Sequence, residues 1–360
     1  MTFNPAIAYN DLPLLPPSCD VETKAILKKC LSATRALAEL KGAVDLLPDQ
    51  AILVNAILLQ EAKFSSGIEN IVTTHDELFK AAMNEANVTD NNIREILQYR
   101  AALRYGFESL SNKPLSLELI LMVHNILCGK GANFRKPGEQ IAIRNKQTKE
   151  IQYTPPTGGN SVIEKLKNME QFLNHMNGLD PLIKMAIAHF QFEAILPFSY
   201  GNGRIGRILN DLYLISSGLL KSPVLCFSRY IINTKHVYNN LLRKVIIDGN
   251  MEPWILYILQ GVEETALWTN EHFMEIKKLF DKTIILSKGK APDIYSKELI
   301  ELIFRQPYCK IGFLKDFGIA KRQSASKYLK KLEEIGILEG EKRGREMIFR
   351  HPALIKILQE

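Results

Sequence analysis

Apolar residues recur at intervals of three and four along most of this chain, and that period predicts one helix after another. Over residues 21–40, Ile26, Leu27, Cys30, Leu31, Leu37 and Leu40 keep the spacing, and Gly42 ends it. The same pattern predicts helices over 51–64, 91–110, 116–127, 163–177, 181–195 and 205–216. Ser116, with Glu118 in the turn that follows, suits a helix start. Residues 181–195 are apolar on every side, the mark of a helix with no solvent face. Residues 3–17 are Pro-rich, apolar and without period, which predicts an extended arm laid on the body.

The helical rhythm breaks in two places. From Gly129 to Thr157 the chain is rich in Gly, Pro and charge, and two alternating runs, 140–144 and 149–154, flank Asn145, Lys146, Gln147 and Thr148. That is a β-hairpin signal. After further helices interrupted at Gly218, Pro223 and Gly249, residues 281–293, with Lys288, Gly289, Lys290 and Pro292, read as a linker. Beyond it come helices at 295–304, 311–317 and 320–335. Strands at 337–339 and 346–350 follow, around the basic turn Lys342, Arg343, Gly344 and Arg345. Three helices and a ribbon is the order of a winged helix. The expected fold is therefore mainly all-α, with a small hairpin and a C-terminal winged-helix domain. Its expected divisions are 1–110, 111–280, a linker at 281–293, and 294–360.

Composition narrows the class. At 360 residues and 46% apolar the chain can bury one large core or two to three smaller ones, and no run approaches bilayer length. The start has no basic region followed by an apolar block, so no secretory signal is expected. Five cysteines, Cys19, Cys30, Cys128, Cys226 and Cys309, stand singly and without metal-ligand spacing, which predicts free thiols in a reducing cytoplasm and no metal cluster. The formal charge of +7 leaves polyanion binding open without requiring it.

The candidate chemistry gathers in one stretch, LPFSYGNGRIGR at 196–207. Gly201, Asn202 and Gly203 expose backbone N–H groups at the start of a predicted helix, and Arg204 and Arg207 lie one turn apart on it. Free amides at a helix N-terminus beside two guanidinium groups favour a polyphosphate. The string resembles the signature of the Fic family, H-P-F-x-D-G-N-G-R-x-G-R, matching its Pro, Phe, GNGR and closing GR. The resemblance implies a Fic helical core and, as activity, transfer of AMP from ATP to a protein hydroxyl. It implies ATP as the ligand, with Mg²⁺ in the family. Two positions depart from the signature: Leu196 stands where the family has its catalytic His, and Tyr200 where it has an acidic metal ligand.

The resemblance extends outward from that stretch. Ser65, Glu69 and Asn70 match the family's inhibitory pattern, [ST]-x-x-x-E-[GN], in which the Glu pairs with the last signature Arg, here Arg207. A carboxylate and a phosphate would then compete for one guanidinium fork. The hairpin at 140–154 corresponds to the flap that docks a target protein as an added strand. Tyr238 and Asn239 are candidate walls of an adenine site. His189 lies two turns before Leu196 and reads as a core residue, not a substitute base. In the winged helix, Lys321, Arg322, Gln323, Ser324, Lys327, Arg343 and Arg345 are the side chains a recognition helix and wing would offer DNA. The last seventy residues carry 14 basic against 10 acidic side chains, a modest excess that leaves DNA binding and protein docking both open.

Three functional readings follow. One is a bacterial-type, cytoplasmic Fic protein that binds nucleotide but is impaired in transfer, since Leu196 cannot accept a proton and a phenol is a poor metal ligand. Another is a DNA-binding regulator or antitoxin-like sensor. The third is a nucleotide transferase with altered chemistry.

Overall fold

The computed structural model describes residues 3–359 except 47–50, 84–87, 112, 130, 132, 146, 176–177 and 344–345. Among the described residues are fifteen helices and two small sheets. The first helices are α1 (Lys24–Val44), α2 (Ala51–Ile68), α3 (His75–Ala82), α4 (Asn91–Ser109) and α5 (Leu117–Cys128). Their starts are local chemistry: Thr23, Thr74, Asp90 and Ser116 each accept a backbone N–H of the first turn. α3 was not expected from periodicity. Its Thr74–Glu77 capping box is the signal that could have found it.

The hairpin follows as β1 (Ile143–Arg144) and β2 (Ile151–Tyr153), antiparallel with a register shift. The N-terminal arm lies against it, as expected. Tyr9 donates its N–H to the Thr154 carbonyl (3.0 Å), and Phe3, Tyr9 and Tyr153 share an aromatic cluster. Next come α6 (Asn160–Asn174), α7 (Pro181–Ile195) and α8 (Asn202–Ser216). Every residue of α7 after Pro181 is buried, so the helix that is apolar all round is the centre of the core. α8 packs along it, and the loop at 196–201 joins the two.

α9 (Phe227–Asn233) and α10 (Lys235–Asp248) lead into α11 (Glu252–Lys290), 39 residues and about 58 Å long at 1.5 Å per residue. The expected linker at 281–293 is, as far as Lys290, the last turns of this helix. Its charged residues face solvent while Thr283, Ser287 and the preceding Phe280 are buried, so the polar composition that suggested a linker is one face of a packed helix. The C-terminal unit consists of α12 (Lys297–Arg305), β3 (Tyr308–Lys310), α13 (Ile311–Asp316), α14 (Arg322–Glu334), β4 (Glu339–Arg343), β5 (Glu346–Arg350) and α15 (Pro352–Gln359). The sheet is three-stranded, in the order β3-β5-β4, where a two-stranded ribbon was expected. β3 is three residues long and its pairing with β5 is distant in sequence, which no local pattern reveals. All five cysteines are free thiols, and among the described residues no helix is long and apolar enough to cross a membrane.

Candidate functional site

The site forms where α8 leaves the loop that ends α7. α7 stops at Leu196, which takes a left-handed conformation (φ 45°) and is buried. A leucine rarely adopts that conformation, and the surroundings hold it there. Arg135, fully buried before the hairpin, donates from Nε to the Leu196 carbonyl (2.8 Å) and from Nη2 to the carbonyls of Ile195 (3.0 Å) and Pro156 (2.7 Å). Its Nη1 reaches the Glu139 carbonyl (3.1 Å), and its own N–H donates to Pro197 (2.9 Å). One guanidinium thus satisfies orphan carbonyls at the negative end of α7 and fastens the base of the hairpin to it.

The loop then closes on itself. Asn202 accepts the Phe198 N–H (2.8 Å) and donates to the Phe198 carbonyl (2.7 Å), so its side chain is committed to holding the turn. The Phe198 ring stacks on His124 of α5 at 3.7 Å, and His124 Nε2 donates to the Tyr200 carbonyl (3.0 Å). Burial lowers the pKa of this imidazole, so it stays neutral as that donor. Gly201 is the N-cap of α8 in left-handed geometry, and no side chain caps the helix. The helix begins at Asn202, three residues earlier than its apolar period suggests, so Asn202, Gly203 and Arg204 form its first turn. Their N–H groups lie at the positive end of the helix dipole.

α2 lies over that turn. Arg207, buried in α8, donates from Nε to Ser65 Oγ (2.7 Å), and from Nη2 to the Ser65 carbonyl (3.0 Å) and Glu69 Oε1 (3.2 Å). A Cβ at Gly203 would stand 2.8 Å from Glu69 Oε1 and 3.0 Å from Arg207 Nη1, so only glycine lets the carboxylate lie over the amides. Asn70 explains the last position of the inhibitory pattern. It is left-handed (φ 67°), its N–H reaches the Gly67 carbonyl (2.9 Å), and the Ile71 N–H reaches the Ser66 carbonyl (3.0 Å). These are the two bonds of a Schellman motif, whose left-handed residue is ordinarily Gly or Asn. Glu69 therefore sits at the negative end of α2, unfavourable for a carboxylate unless a cation such as Arg207 answers it.

Beneath Arg207 lies a layer of carboxyl groups that sequence reasoning did not single out. Glu61 is fully buried and accepts the Tyr99 hydroxyl (3.1 Å), the Ser228 N–H (3.0 Å) and the Ser228 hydroxyl. Burial raises its pKa, against the pull of those bonds and of Arg207. Asp211, one turn after Arg207, is raised well above the usual carboxylate range by burial and then by Glu61. Glu193 of α7 is pushed up to about 7 by burial, and its Oε1 has no partner among the described residues. A visible signal existed for Glu61: with Ser65 and Glu69 it forms a row at spacing four on one face of α2.

Other predicted residues are placed as follows. Arg204 is buried and pairs with Glu95 of α4 (3.0 Å). Tyr200 is 57% exposed, its hydroxyl donating to the Cys128 carbonyl (3.1 Å), so the side chain is directed to the end of α5. A carboxylate that does reach the loop is Glu139, held by the Ser199 hydroxyl and the Lys136 N–H (3.0 Å). Tyr238 is buried behind the site, sharing a hydrogen bond with His189 Nε2 (3.0 Å), whereas Asn239 is exposed. His189 is a core residue stacked on Trp254 (5.8 Å), with its pKa lowered to about 3 by burial. In the winged helix Lys321, Arg322, Gln323, Ser324 and Lys327 are exposed, and Lys327 approaches Asp293 (3.8 Å). The backbone of Arg343 closes β4, and Arg345 lies outside the described residues.

Comparison with known proteins accords with this geometry. Family models match in three stretches: the Fic/DOC family N-terminal region over residues 27–108, the Fic/DOC family over 114–214, and the C-terminal domain of SoFic-like protein adenylyltransferases over 279–354. Among curated proteins, the chain is 30% identical to protein adenylyltransferase fic-1 of Caenorhabditis elegans over 174 residues, 47% of this chain and 32% of that one. It is 27% identical to its Caenorhabditis briggsae counterpart over 209 residues, 57% of this chain and 38% of that one. The match thus spans about a third of these relatives' length. A Fic family protein from Desulfovibrio desulfuricans G20 has the same fold, with a TM-score of 0.59 at 19% identity over 93% of this chain and 98% of that one.

Proposed function

The chain belongs to the Fic/DOC family, and we propose that it is a nucleotide-binding protein of the adenylyltransferase type, held closed by its own α2. On this reading it divides at 1–110, 111–280 and 294–360 into lock, Fic core and winged helix. The observation that carries it is the Arg207 fork at the uncapped start of α8, occupied by Ser65 and Glu69 where an anion would bind.

The amides of Asn202, Gly203 and Arg204, with Arg207, would receive the phosphates of ATP, and Tyr238 would close the site from behind. A target hydroxyl, presented by a segment docked at 140–154, would attack the α-phosphorus and displace pyrophosphate. Its proton needs an acceptor, and Leu196 has none to offer. The Tyr200 phenol points to the Cys128 carbonyl and does not fit a Mg²⁺ ligand, so no step is routed through the metal. The protein in this form is a binder impaired in transfer.

The test is label transfer from α-labelled ATP to the protein itself and to a lysate. It uses Glu69→Gly, with and without Leu196→His and Tyr200→Asp. Histidine is among the residues that tolerate the left-handed conformation at 196, so the repair keeps the backbone. Label only on the repaired form supports an intact, switched-off site; label on the unrepaired form refutes impairment.

The exposed start of α14 favours a second reading. Lys321 and Arg322 border a cleft of about 900 Å³ that Lys310 and Lys315 also line, a place for a DNA backbone. A mobility shift that weakens with salt and with Arg322→Ala would support it, and no shift at low salt would remove it.

A further inference from the structure

The winged helix is fastened to the same helix that carries the lock. On the side of α2 away from Glu61, Ser65 and Glu69, Gln60 donates to the Leu358 carbonyl of α15. Ala56 and Leu59 meet Gln306, Pro307 and Tyr308 across a small cavity of about 180 Å³. α3 is fastened too. The Tyr308 hydroxyl donates to Asp76, and its ring stacks on Phe79 (6.3 Å). Lys80 Nζ lies 2.8 Å from Asp76 and 3.6 Å from Glu341 of β4. Glu69 and Asn70 therefore lie in a short stretch between two helices, both anchored on the C-terminal unit. Glu69 directly follows the last residue of α2, so a movement of that helix carries it along, and the Thr74 cap of α3 stands only five residues further on.

We propose that the winged-helix domain is a clamp on the lock, an inference that rests on the reading of Glu69 as the competitor for Arg207. Seated on α2 and α3, it keeps the Schellman turn at 66–71 formed and the carboxylate on the guanidinium. Drawing the domain off that seam frees Arg207 for an anion. The coupling is mechanical, carried by two packed helices and the short connection between them, and it works in both directions: an anion on Arg207 loosens the seam.

The test places its changes in the winged helix and reads them at the lock. Tyr308→Phe with Glu341→Lys in the full chain removes the hydroxyl bond and sets like charge against Lys80, without touching α2 or α3. Amide hydrogen exchange at 66–72 is expected to quicken about tenfold while α7 and α8 are unchanged. Affinity for a non-hydrolysable ATP analogue is expected to rise towards that of Glu69→Gly, with no further rise when the two sets are combined. Unchanged exchange at 66–72 overturns the clamp. Faster exchange in a protein whose Glu69→Gly form binds no nucleotide keeps the clamp and removes the nucleotide reading.

Discussion

Removing the Glu69 carboxylate is the perturbation on which the lock stands or falls. Arg207 is 3% exposed and Glu69 43% exposed, with 3.2 Å between Nη2 and Oε1. An ion pair with one half-exposed member falls between the ~0.2–1 kcal/mol of surface pairs and the ~3–5 kcal/mol lost on breaking buried ones. A net of about 1–2 kcal/mol is appropriate. Glu69→Gly abolishes that competition and the repulsion of an incoming phosphate, while Ser65 still orients the fork through Nε. Affinity for a non-hydrolysable ATP analogue should therefore rise roughly 5- to 30-fold, taking tenfold per 1.4 kcal/mol. Titration calorimetry on Glu69→Gly and on Glu69→Gly with Arg207→Ala measures it. The reasoning is refuted if the glycine variant binds no more tightly than the parent, or if Arg207→Ala leaves its affinity intact.

Three further outcomes follow from the same geometry. Asn70→Gly should unfold in urea within about 0.5 kcal/mol of the parent, whereas Asn70→Val, β-branched in a left-handed position, should cost about 1–2 kcal/mol. Arg135→Lys, which cannot reproduce a fork to four carbonyls, should cost about 2–4 kcal/mol in the same assay and make the hairpin more sensitive to protease. Glu193 has a folded pKa raised to about 7. Its burial as the neutral acid is therefore fully favourable below about 4.5 and becomes a liability as pH rises through 7. Glu193→Gln should remove up to roughly 3 kcal/mol of this loss, so melting temperatures of parent and variant should diverge between pH 5 and pH 8.

Much of this molecule is legible without coordinates because its cause is local. A period of 3.6 located the main helices, the all-apolar 181–195 foretold the buried α7, and alternation marked the hairpin. The resemblance carried by GNGRIGR and S-x-x-x-E-N placed the chain in its family and named Glu69 and Arg207 as a pair; that Ser65 also holds Arg207 came from the structure. What escaped has causes far along the chain. The polar face of 281–290 read as a linker, since the surfaces that bury Thr283 and Ser287 are not in that segment. The side chain of Asn202, whose backbone alone the motif spoke for, closes a loop through Phe198. Arg135 became the anchor of the α7 terminus from 60 residues away, with nothing in NFRKPG to announce it. The chain by itself determined most of the helical segments and the glycine turn that opens α8. Tertiary structure alone decided what Arg207, Arg135 and Glu61 touch. A buried charge is stable only where distant segments bring it partners, and one-dimensional spacing does not encode those meetings.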